Sequence, residues 1–304
     1  MSILVVGAGA AGGYLGAQLI AAGRDVTFLV HAHTQARLRA QGLRIRRGAQ
    51  TATTAVKAVT VSELGDTYDI VIVAVRTNAV ESAIRDARAT VTADTRVVPV
   101  MNGIHHLSLL TAAFGTQVVL GAAVRLGTSA LVDGTIDEAV PGIGIELGQL
   151  DGGRGRPLSD TAAQLDVNGV AVTIRDDVVA AMWEKFAFIA CTAALTCLVG
   201  APIGVIAATA GGGEVARAVL AEFAAVATAH AHPLSDTALS HLETVLTDPS
   251  STFGPSMFRD LNAGRPVEAS VLDEVVDGAR EQQIGTPLIH AALPVLHVHN
   301  SRVG

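Results

Sequence analysis

The sequence predicts an N-terminal α/β domain over residues 1–175 and an all-α domain over residues 176–304. Three observations lead to this fold class. The short apolar run at residues 3–6 is followed at once by a G-x-G-x-x-G spacing and then by a helical pattern. Unbroken apolar runs such as residues 69–75, typical of buried parallel strands, recur through the first part of the chain. After Asp176 the pattern is almost entirely helical, without alternating strand runs.

The composition is typical of a globular protein whose core is built from small aliphatic side chains. The 304 residues are 50% hydrophobic but only 3% aromatic, and this length suits about two domains. A net charge of −7 gives no general reason to expect nucleic acid or an anionic membrane as a partner. Cys191 and Cys197 lie close together in an apolar run, where a disulfide is geometrically awkward, so we expect two buried, reduced thiols in a cytoplasmic protein.

The glycine-rich stretch after the first strand consists of Gly7, Ala8, Gly9, Ala10, Ala11 and Gly12. In this spacing Gly7 permits the tight turn, Gly9 lets the backbone approach a pyrophosphate, and Gly12 lets the helix pack closely on the strand. The free N–H groups and the positive dipole end of the following helix then face the phosphates. An ordinary glycine turn is the alternative, but the preceding strand and the following helix favour a Rossmann-type dinucleotide-binding domain.

The end of the second predicted strand, residues 25–30, is where a dinucleotide-binding domain selects its cofactor. An acidic residue there would bind the ribose 2′-hydroxyl of NAD, whereas this chain has His31 and no acidic residue over residues 26–62. Five arginines fall in that window: Arg37, Arg39, Arg44, Arg46 and Arg47. We expect His31 and Arg37 to bind the 2′-phosphate, which favours NADP(H) over NAD. The last three arginines are expected to form the solvated face of an edge hairpin.

Two further strands end in polar residues at the carboxyl edge of the predicted parallel sheet, where α/β domains bind ligands. Arg76 follows the strand at residues 69–75. Asn102 and Gly103 follow the strand at residues 96–100, either as a simple turn or as a means of placing an amide against the nicotinamide. The other elements predicted in this domain are strands over residues 118–123, 130–138, 143–147 and 170–174 and a short helix over residues 161–168.

The all-α domain begins with an apolar stretch that is long enough to span a bilayer. Residues 186–210 carry no charge, but the helix-breaking residues between Gly200 and Gly204 split the stretch into two pieces. We therefore expect a buried helix, a turn and a second helix that serve as a domain core or a homodimer interface, without membrane insertion. Helices are predicted over residues 178–198, 207–231, 237–246, 266–283 and 287–297, with an interruption of the second at residues 211–213.

Three polar residues of this domain suit chemistry, although each also has a plain structural interpretation. Lys185 has apolar residues on most sides in AMWEKFAFIA, and burial lowers the pKa of a lysine and makes it a better proton donor near neutral pH. A lysine in such a place also reaches the surface or pairs with an acid. Glu268, at the start of a predicted helix, suits the helix dipole, and Ser256 suits an N-cap. Histidine pairs in the sequence lack a third ligand at a recognised spacing, so we expect no metal site.

Together these residues resemble the ketopantoate reductase (2-dehydropantoate 2-reductase) family, and the resemblance covers essentially the whole chain. The segments that carry it are the N-terminal GAGAAG, Met101-Asn102-Gly103, Met182-Trp183-Glu184-Lys185, Ser256-Met257-x-x-Asp260 and Gly264-Arg265-x-x-Glu268. Their order and spacing are far more specific than the glycine motif alone. The resemblance implies an NADPH-dependent reductase with a Rossmann domain, a helical domain and an active site in the cleft between them.

The resemblance also implies a role for each matching residue. Lys185 would be the general acid that protonates the substrate carbonyl oxygen, and Glu268 would hold the developing hydroxyl. Ser256 would help to hold the substrate carboxylate. Asn102 would lie between nicotinamide and substrate, and the glycine stretch at residues 7–12 would carry the pyrophosphate.

Several positions depart from the family pattern. The family usually has Arg at the position of His31 and Lys at the position of Arg76. Arg76 keeps the positive charge of that lysine but not its compact geometry. It commonly has Asn at the positions of Ile189 and Ala193, which are apolar here. The family's I-D-x-I-N-G is replaced by ASVLDE at residues 269–274. We expect the loss of two amides to make the substrate pocket drier.

The expected function is NADPH-dependent reduction of a small 2-oxo acid to the 2-hydroxy acid. The substrate would be 2-dehydropantoate, reduced to pantoate in pantothenate biosynthesis, or a more apolar relative. One alternative is a reductase of a different ketone or an imine on the same fold, suggested by Ile189 and Ala193. The other is a non-catalytic protein that senses NADP(H), against which the retained Lys185, Ser256 and Glu268 argue.

Overall fold

The chain folds as two units, each with its own set of elements. The structure is a computed structural model that describes residues 1–150 and 157–303. The first unit comprises Met1–Met101 and His105–Ala181, and the second comprises Asn102–Ile104 and the chain from Met182 onwards. This division falls inside a helix, a little after the boundary predicted between residues 175 and 176, and it assigns a short loop of the N-terminal half to the second unit.

The first unit is built from two sheets and their flanking helices. Its strands are β1 (Ser2–Val6), β2 (Asp25–Leu29), β3 (Leu43–Arg47), β4 (Gln50–Thr54), β5 (Lys57–Val59), β6 (Ile70–Val73), β7 (Arg96–Pro99), β8 (Leu120–Ala130), β9 (Ile136–Gln149) and β10 (Val170–Ile174). Its helices are α1 (Ala10–Ala21), α2 (Ala32–Gln41), α3 (Val80–Ala87), α4 (His105–Phe114) and α5 (Leu158–Leu165).

The first sheet is parallel, with the strand order β5, β2, β1, β6 and β7. Ile3 and Val5 on β1 pack into a core shared with α1 and the second sheet. Leu4 and Val6 point to the opposite face, into a core shared with α3 and α4. Burial on both faces explains why these strands are unbroken apolar runs in the sequence. The parallel arrangement brings the loops after β1, β2 and β6 to the same edge of the sheet.

The second sheet has the order β10, β9, β3 and β4, and β8 pairs antiparallel with β9. The antiparallel pair of β3 and β4 confirms the edge hairpin predicted for the basic residues there. The single strand predicted over residues 130–138 is wrong in its middle, because residues 131–135 turn the chain, while Ala130 ends β8 and residues 136–138 begin β9. The Leu131 N–H donates to the Thr135 carbonyl oxygen at 2.8 Å, and Gly134 takes a φ of +78°. The strand predicted over residues 118–123 overlaps β8, which begins at Leu120, and the strand predicted over residues 143–147 is part of the longer β9.

The second unit is helical, as predicted. Its helices are α6 (Val178–Val199), which begins in the first unit, α7 (Ile203–Ala207), α8 (Gly212–Ala229), α9 (Asp236–Leu246), α10 (Ser256–Asn262), α11 (Ser270–Glu281) and α12 (Pro287–Val303). The predicted break is confirmed, since α6 ends before Gly200, whose φ is +77°. By length and composition α6 could cross a membrane, but 67% of its most apolar window is buried in the protein, which is also the pattern of a core helix.

Helix α11 is shorter than the helix predicted over residues 266–283, so Glu268 precedes the helix rather than lying in its first turn. The preceding segment is held by the Asn300 side chain. The Val267 N–H donates to Asn300 Oδ1 at 2.8 Å, and Asn300 Nδ2 donates to the Val267 carbonyl oxygen at 2.9 Å. These bonds replace the helical hydrogen bonds that would otherwise continue α11 towards Pro266.

The two cysteines on α6 are buried and free, which confirms the predicted pair of buried thiols. Burial raises the pKa of the Cys191 thiol, and burial raises the pKa of Cys197 to about 11. Both thiols are therefore poor nucleophiles at neutral pH.

Candidate functional site

The glycine turn after β1 separates positions that pack against protein from a position that faces open space. Gly7 has a φ of +98°, and a Cβ there would lie 2.5 Å from the Ala74 carbonyl oxygen. A Cβ at Gly12 would collide with the Gly7 carbonyl oxygen and lie 2.7 Å from the Ala74 Cβ. A Cβ built at Gly9 would have no heavy atom of the described residues within 4 Å, apart from those of its neighbours in the chain. Gly7 and Gly12 thus serve the fold, while Gly9 leaves room for a ligand.

A cavity of about 500 Å³ in the first unit adjoins this turn. Gly7, Ala8 and Gly9 line it, while Ala10, Ala11 and Gly12 form the first turn of α1. Room beside the positive end of a helix suits a phosphate group, because backbone N–H groups are available there. The residues of this turn therefore fit a dinucleotide.

The five arginines after β2 differ in their partners. Ion pairs join Arg39 to Glu63, Arg44 to Asp133, Arg46 to Asp137 and Arg47 to Glu138. Arg37 instead donates to the Gly134 carbonyl oxygen at 3.1 Å and lines the cavity. The positive field predicted for this window is therefore largely neutralised at four of its arginines. Among the described residues, the Arg37 guanidinium has this one hydrogen bond, and although its charge helps to lower the pKa of Asp133, its remaining N–H groups can bind a phosphate.

The other predicted cofactor residues lie in different places. His31 is exposed, precedes α2 and lines the same cavity, and its ring stacks on His33 at a centroid distance of 6.0 Å. Arg76 is exposed and follows β6. Val75 and Ala79 line the cavity on either side of it in the chain, whereas Arg76 is not part of the described lining.

Sequence reasoning missed the hydroxyl-bearing residues of the cavity lining, among them Thr60 and Ser62. These two belong to a short 3-10 turn at which Thr60 and Glu63 form a capping box, with the Thr60 N–H donating to Glu63 Oε2 at 2.8 Å. Hydrogen bonds from Thr60, Gln35 and Arg39 lower the pKa of Glu63 to about 2. The T-x-x-E spacing is a recognised helix-start pattern and could have identified this turn.

The predicted proton donor lies in the second unit, on α6. Lys185 is buried, with only 9% of its surface exposed. Ile189 and Ala193 follow at intervals of four residues, so they share its face of the helix. Ile189 is partly exposed and Ala193 is fully buried. The two positions that follow Lys185 at this spacing are therefore apolar.

Asn102 and Glu268 meet in the second unit although they are 166 residues apart in the chain. Asn102 Nδ2 donates to Glu268 Oε2 at 3.3 Å. The loop Asn102–Ile104 is held further by Glu274, whose Oε1 accepts from the Ile104 N–H at 2.7 Å. Glu274 is a residue that sequence reasoning named only as part of a departure from the family pattern, without a role.

Ser256 is the first residue of α10 and is exposed. The N-cap is Pro255, so the simple N-cap interpretation of Ser256 is wrong. Downstream of it, the Arg265 guanidinium donates to Asp260 Oδ1 from Nε at 2.9 Å and from Nη2 at 2.6 Å. This pair joins the segment that contains Ser256 to the segment that contains Glu268.

A second cavity, of about 530 Å³, also lies in the first unit and contains none of the predicted site residues. Tyr14 donates to Glu138, and Glu138 also pairs with Arg47. Burial, reinforced by Glu138, raises the pKa of Tyr14. Because these groups satisfy one another, they link α1 to β9 and the edge hairpin rather than offering a site.

Comparisons with known proteins bear on the whole chain. The protein-family model described as "Ketopantoate reductase PanE/ApbA" matches residues 3–152, and "Ketopantoate reductase PanE/ApbA C terminal" matches residues 177–300. The "Uncharacterized oxidoreductase YkpB" of Bacillus subtilis is 26% identical over 99% of both chains. The 2-dehydropantoate 2-reductase of Mesorhizobium japonicum is 26% identical over 97% of both chains.

A solved structure extends the likeness to the fold. The ternary structure of D-mandelate dehydrogenase with NADH and anilino(oxo)acetate has a TM-score of 0.87 and 20% identity, over 100% of this chain and 99% of that one. Together with the two matched family domains, it confirms the predicted fold class, a Rossmann-type domain followed by a helical domain.

Proposed function

The chain belongs to the ketopantoate reductase family of oxidoreductases, and we propose that it reduces a small 2-oxo acid to the 2-hydroxy acid with NADPH. The observation that carries this proposal is the contact between Asn102 and Glu268 in the unit that contains the buried Lys185. These residues come from three separate segments of the chain. A core role alone would not require polar groups from such distant segments to meet.

Reduction of a carbonyl group requires a hydride at carbon and a proton at oxygen. The reduced nicotinamide, when bound, supplies the hydride. Lys185 donates a proton to the carbonyl oxygen as negative charge develops there, and solvent later reprotonates the amine. Glu268 accepts a hydrogen bond from the new hydroxyl, and Asn102 orients that carboxylate through its amide. Ser256 donates its hydroxyl to the substrate carboxylate.

The preference for NADPH over NADH is supported by Arg37. It lines the cavity of the glycine turn and donates to a neutral carbonyl oxygen, whereas the other arginines of its window are paired with acids. His31 lies at the same cavity, at the position where an acidic residue would favour NAD. We therefore assign Arg37 the main contact with the 2′-phosphate, with His31 beside it and Arg76 as a peripheral contributor.

The substrate is 2-dehydropantoate or a more apolar 2-oxo acid, and the two apolar residues that follow Lys185 on α6 support the second. Ile189 and Ala193 follow Lys185 on the same face of the helix, where they offer no hydrogen bond to a hydroxylated substrate. We also propose that the protein works in the cytoplasm, which the two buried free thiols support. A homodimer stays a prediction, and light scattering during size-exclusion chromatography tests it.

The experiment is a substrate screen that follows the oxidation of NADPH and NADH by absorbance. The panel contains 2-dehydropantoate, branched and aromatic 2-oxo acids, simple ketones and cyclic imines. We expect turnover with 2-oxo acids, a lower KM for NADPH than for NADH, and apolar acids reduced at least as well as 2-dehydropantoate. Turnover of ketones or imines alone would favour the alternative reductase. NADPH binding without oxidation across the whole panel would favour a sensor.

A further inference from the structure

The loop Asn102–Ile104 carries a contact that neither the motif nor the proposed mechanism uses. From this contact we propose that Glu274 is a positioning residue, which fixes the loop so that the Asn102 amide stays against Glu268. The inference rests on the proposed function, because only a reaction at Glu268 gives the position of Asn102 a consequence for catalysis.

Glu274 binds the loop through a backbone hydrogen bond. Glu274 Oε1 accepts from the Ile104 N–H at 2.7 Å, a short distance for a bond between an amide and an ionised acceptor. Ile104 and Asn102 are two residues apart in the chain. A carboxylate that holds the N–H of Ile104 therefore restricts the direction in which the Asn102 side chain leaves the loop.

The Glu274 carboxylate also occupies the space beside Gly103. Gly103 has a φ of +75°, and a Cβ built there would collide with the Glu274 carboxylate. The carboxylate therefore lies against the Cα of this glycine while it binds the next residue's N–H. Glu274 touches the loop at two adjacent residues, which is more restrictive than one hydrogen bond.

The helix that carries Glu274 is firmly packed. Val271, Leu272, Val275 and Val276 of α11 are all buried. Asp273, the neighbour of Glu274, binds the His297 ring on α12 at 2.9 Å. A residue on so firmly packed a helix can hold a loop in place at little entropic cost.

Glu268 and Glu274 both bind the loop Asn102–Ile104. Glu268 precedes α11 and accepts from Asn102 Nδ2 at 3.3 Å, while Glu274 lies in the second turn of α11. The loop is thus held by two carboxylates of one short segment, one through a side chain and one through the backbone. The I-D-x-I-N-G pattern of the family that the chain resembles has a glycine at the position of Glu274, and a glycine there offers no carboxylate to the loop.

The test compares E274A, which removes the acceptor, with E274Q, which keeps one, and with the control E281A at an exposed residue of the same helix. We expect hydrogen exchange at the Ile104 amide to speed up by about tenfold or more in E274A. We expect kcat to fall by about tenfold in E274A, because small misplacements of a polar group are costly. E274Q should stay within about twofold of the wild type for both quantities, E281A should not differ, and the Kd for NADPH should be unchanged throughout.

A double variant shows whether Glu274 acts through Asn102. N102A should lower kcat by itself, and N102A/E274A should be no worse than N102A. Multiplicative losses, equal losses in E274Q and E274A, or an unchanged exchange rate in E274A would overturn the inference. If the wild type reduced no 2-oxo acid, the proposed function would fail, whereas the exchange rates would still decide whether Glu274 holds the loop.

Discussion

The loops after β1 and β7 both contain a glycine with positive φ, but their surroundings are opposite. The loop after β1 leaves open space at Gly9, beside the start of α1. The loop after β7 has the carboxylate of Glu274 against Gly103 and on the Ile104 N–H. In the first loop the Gly7 N–H is bonded to the Leu29 carbonyl oxygen, but the space at Gly9 leaves room for an anion from outside. The second loop has given a backbone N–H to a carboxylate of its own chain. A glycine after a parallel strand can therefore signal either a ligand site or a fixed side chain.

The largest effect should come from the second unit alone. K185A should lower kcat by about 10²–10⁴-fold, the usual contribution of a general acid, and leave the Kd for NADPH nearly unchanged. K185R should be almost as impaired, because a guanidinium gives up its proton poorly. Steady-state kinetics and a fluorescence titration of NADPH measure the two quantities. K57A, at an exposed lysine of β5, is the control, and near-normal turnover by K185A would remove Lys185 from the mechanism.

The next largest effect concerns cofactor binding at the cavity beside the loop after β1. R37A should raise the KM for NADPH by about tenfold to a hundredfold, the value of a charge-assisted hydrogen bond, and change the KM for NADH little. R39A is the matched control, because Arg39 lies on the same helix but pairs with Glu63. Equal losses with both cofactors in R37A would contradict the assignment of the 2′-phosphate to Arg37.

A pair of glycine variants separates ligand space from packing space within the same turn. G9A places a methyl group in open space, so it should raise the Kd for NADPH by about tenfold while leaving the melting temperature unchanged. G12A forces a methyl group onto the Gly7 carbonyl oxygen and should lower stability by about 1–3 kcal/mol. Calorimetry and NADPH titration on both proteins measure this. A destabilised G9A with normal NADPH affinity would show that Gly9 serves the fold.

The smallest effect concerns the short turn at Thr60 and Ser62, which lines the cavity beside the glycine turn. Glu63 has a pKa lowered to about 2 by its hydrogen bonds, so its ionised form is favoured in the folded state. Its contribution to stability is therefore present above its unfolded pKa and is lost as the pH falls towards about 2. E63Q should melt at a lower temperature than the wild type at neutral pH, and the gap should close as the pH falls below about 4.5. A gap that does not depend on pH would show that the charge of Glu63 is irrelevant.

The cofactor side could be predicted far better than the contacts around it. The strand, the glycine turn and the first helix are set by neighbouring residues, and the sequence pattern identifies all three. The partners of the basic residues are not local: Arg44 pairs with Asp133, 89 residues away, and Arg46 pairs with Asp137, 91 residues away. Only the pairing of β3 with β9 brings them together. The excess of positive charge therefore looked larger in the sequence than it is in the fold.

The catalytic side depends still more on long-range packing. Lys185 could be chosen for its apolar surroundings, but the contact of Asn102 with Glu268 follows from no spacing rule. The roles of these residues came from a family resemblance and stay predictions. The single strand predicted over residues 130–138 is a different error, since a local signal was overlooked. The apolar residues on either side suggested one continuous strand, although Asp133-Gly134 is a typical turn sequence.

The most direct test of the account follows the hydride itself. NADPH that carries deuterium at both C4 positions is incubated with the protein and a 2-oxo acid that is turned over, and the product is analysed by mass spectrometry. We predict a 2-hydroxy acid with one deuterium at C2, and no deuterated product from K185A although NADPH still binds. NADPH binding without a deuterated product from any acid of the panel would contradict it.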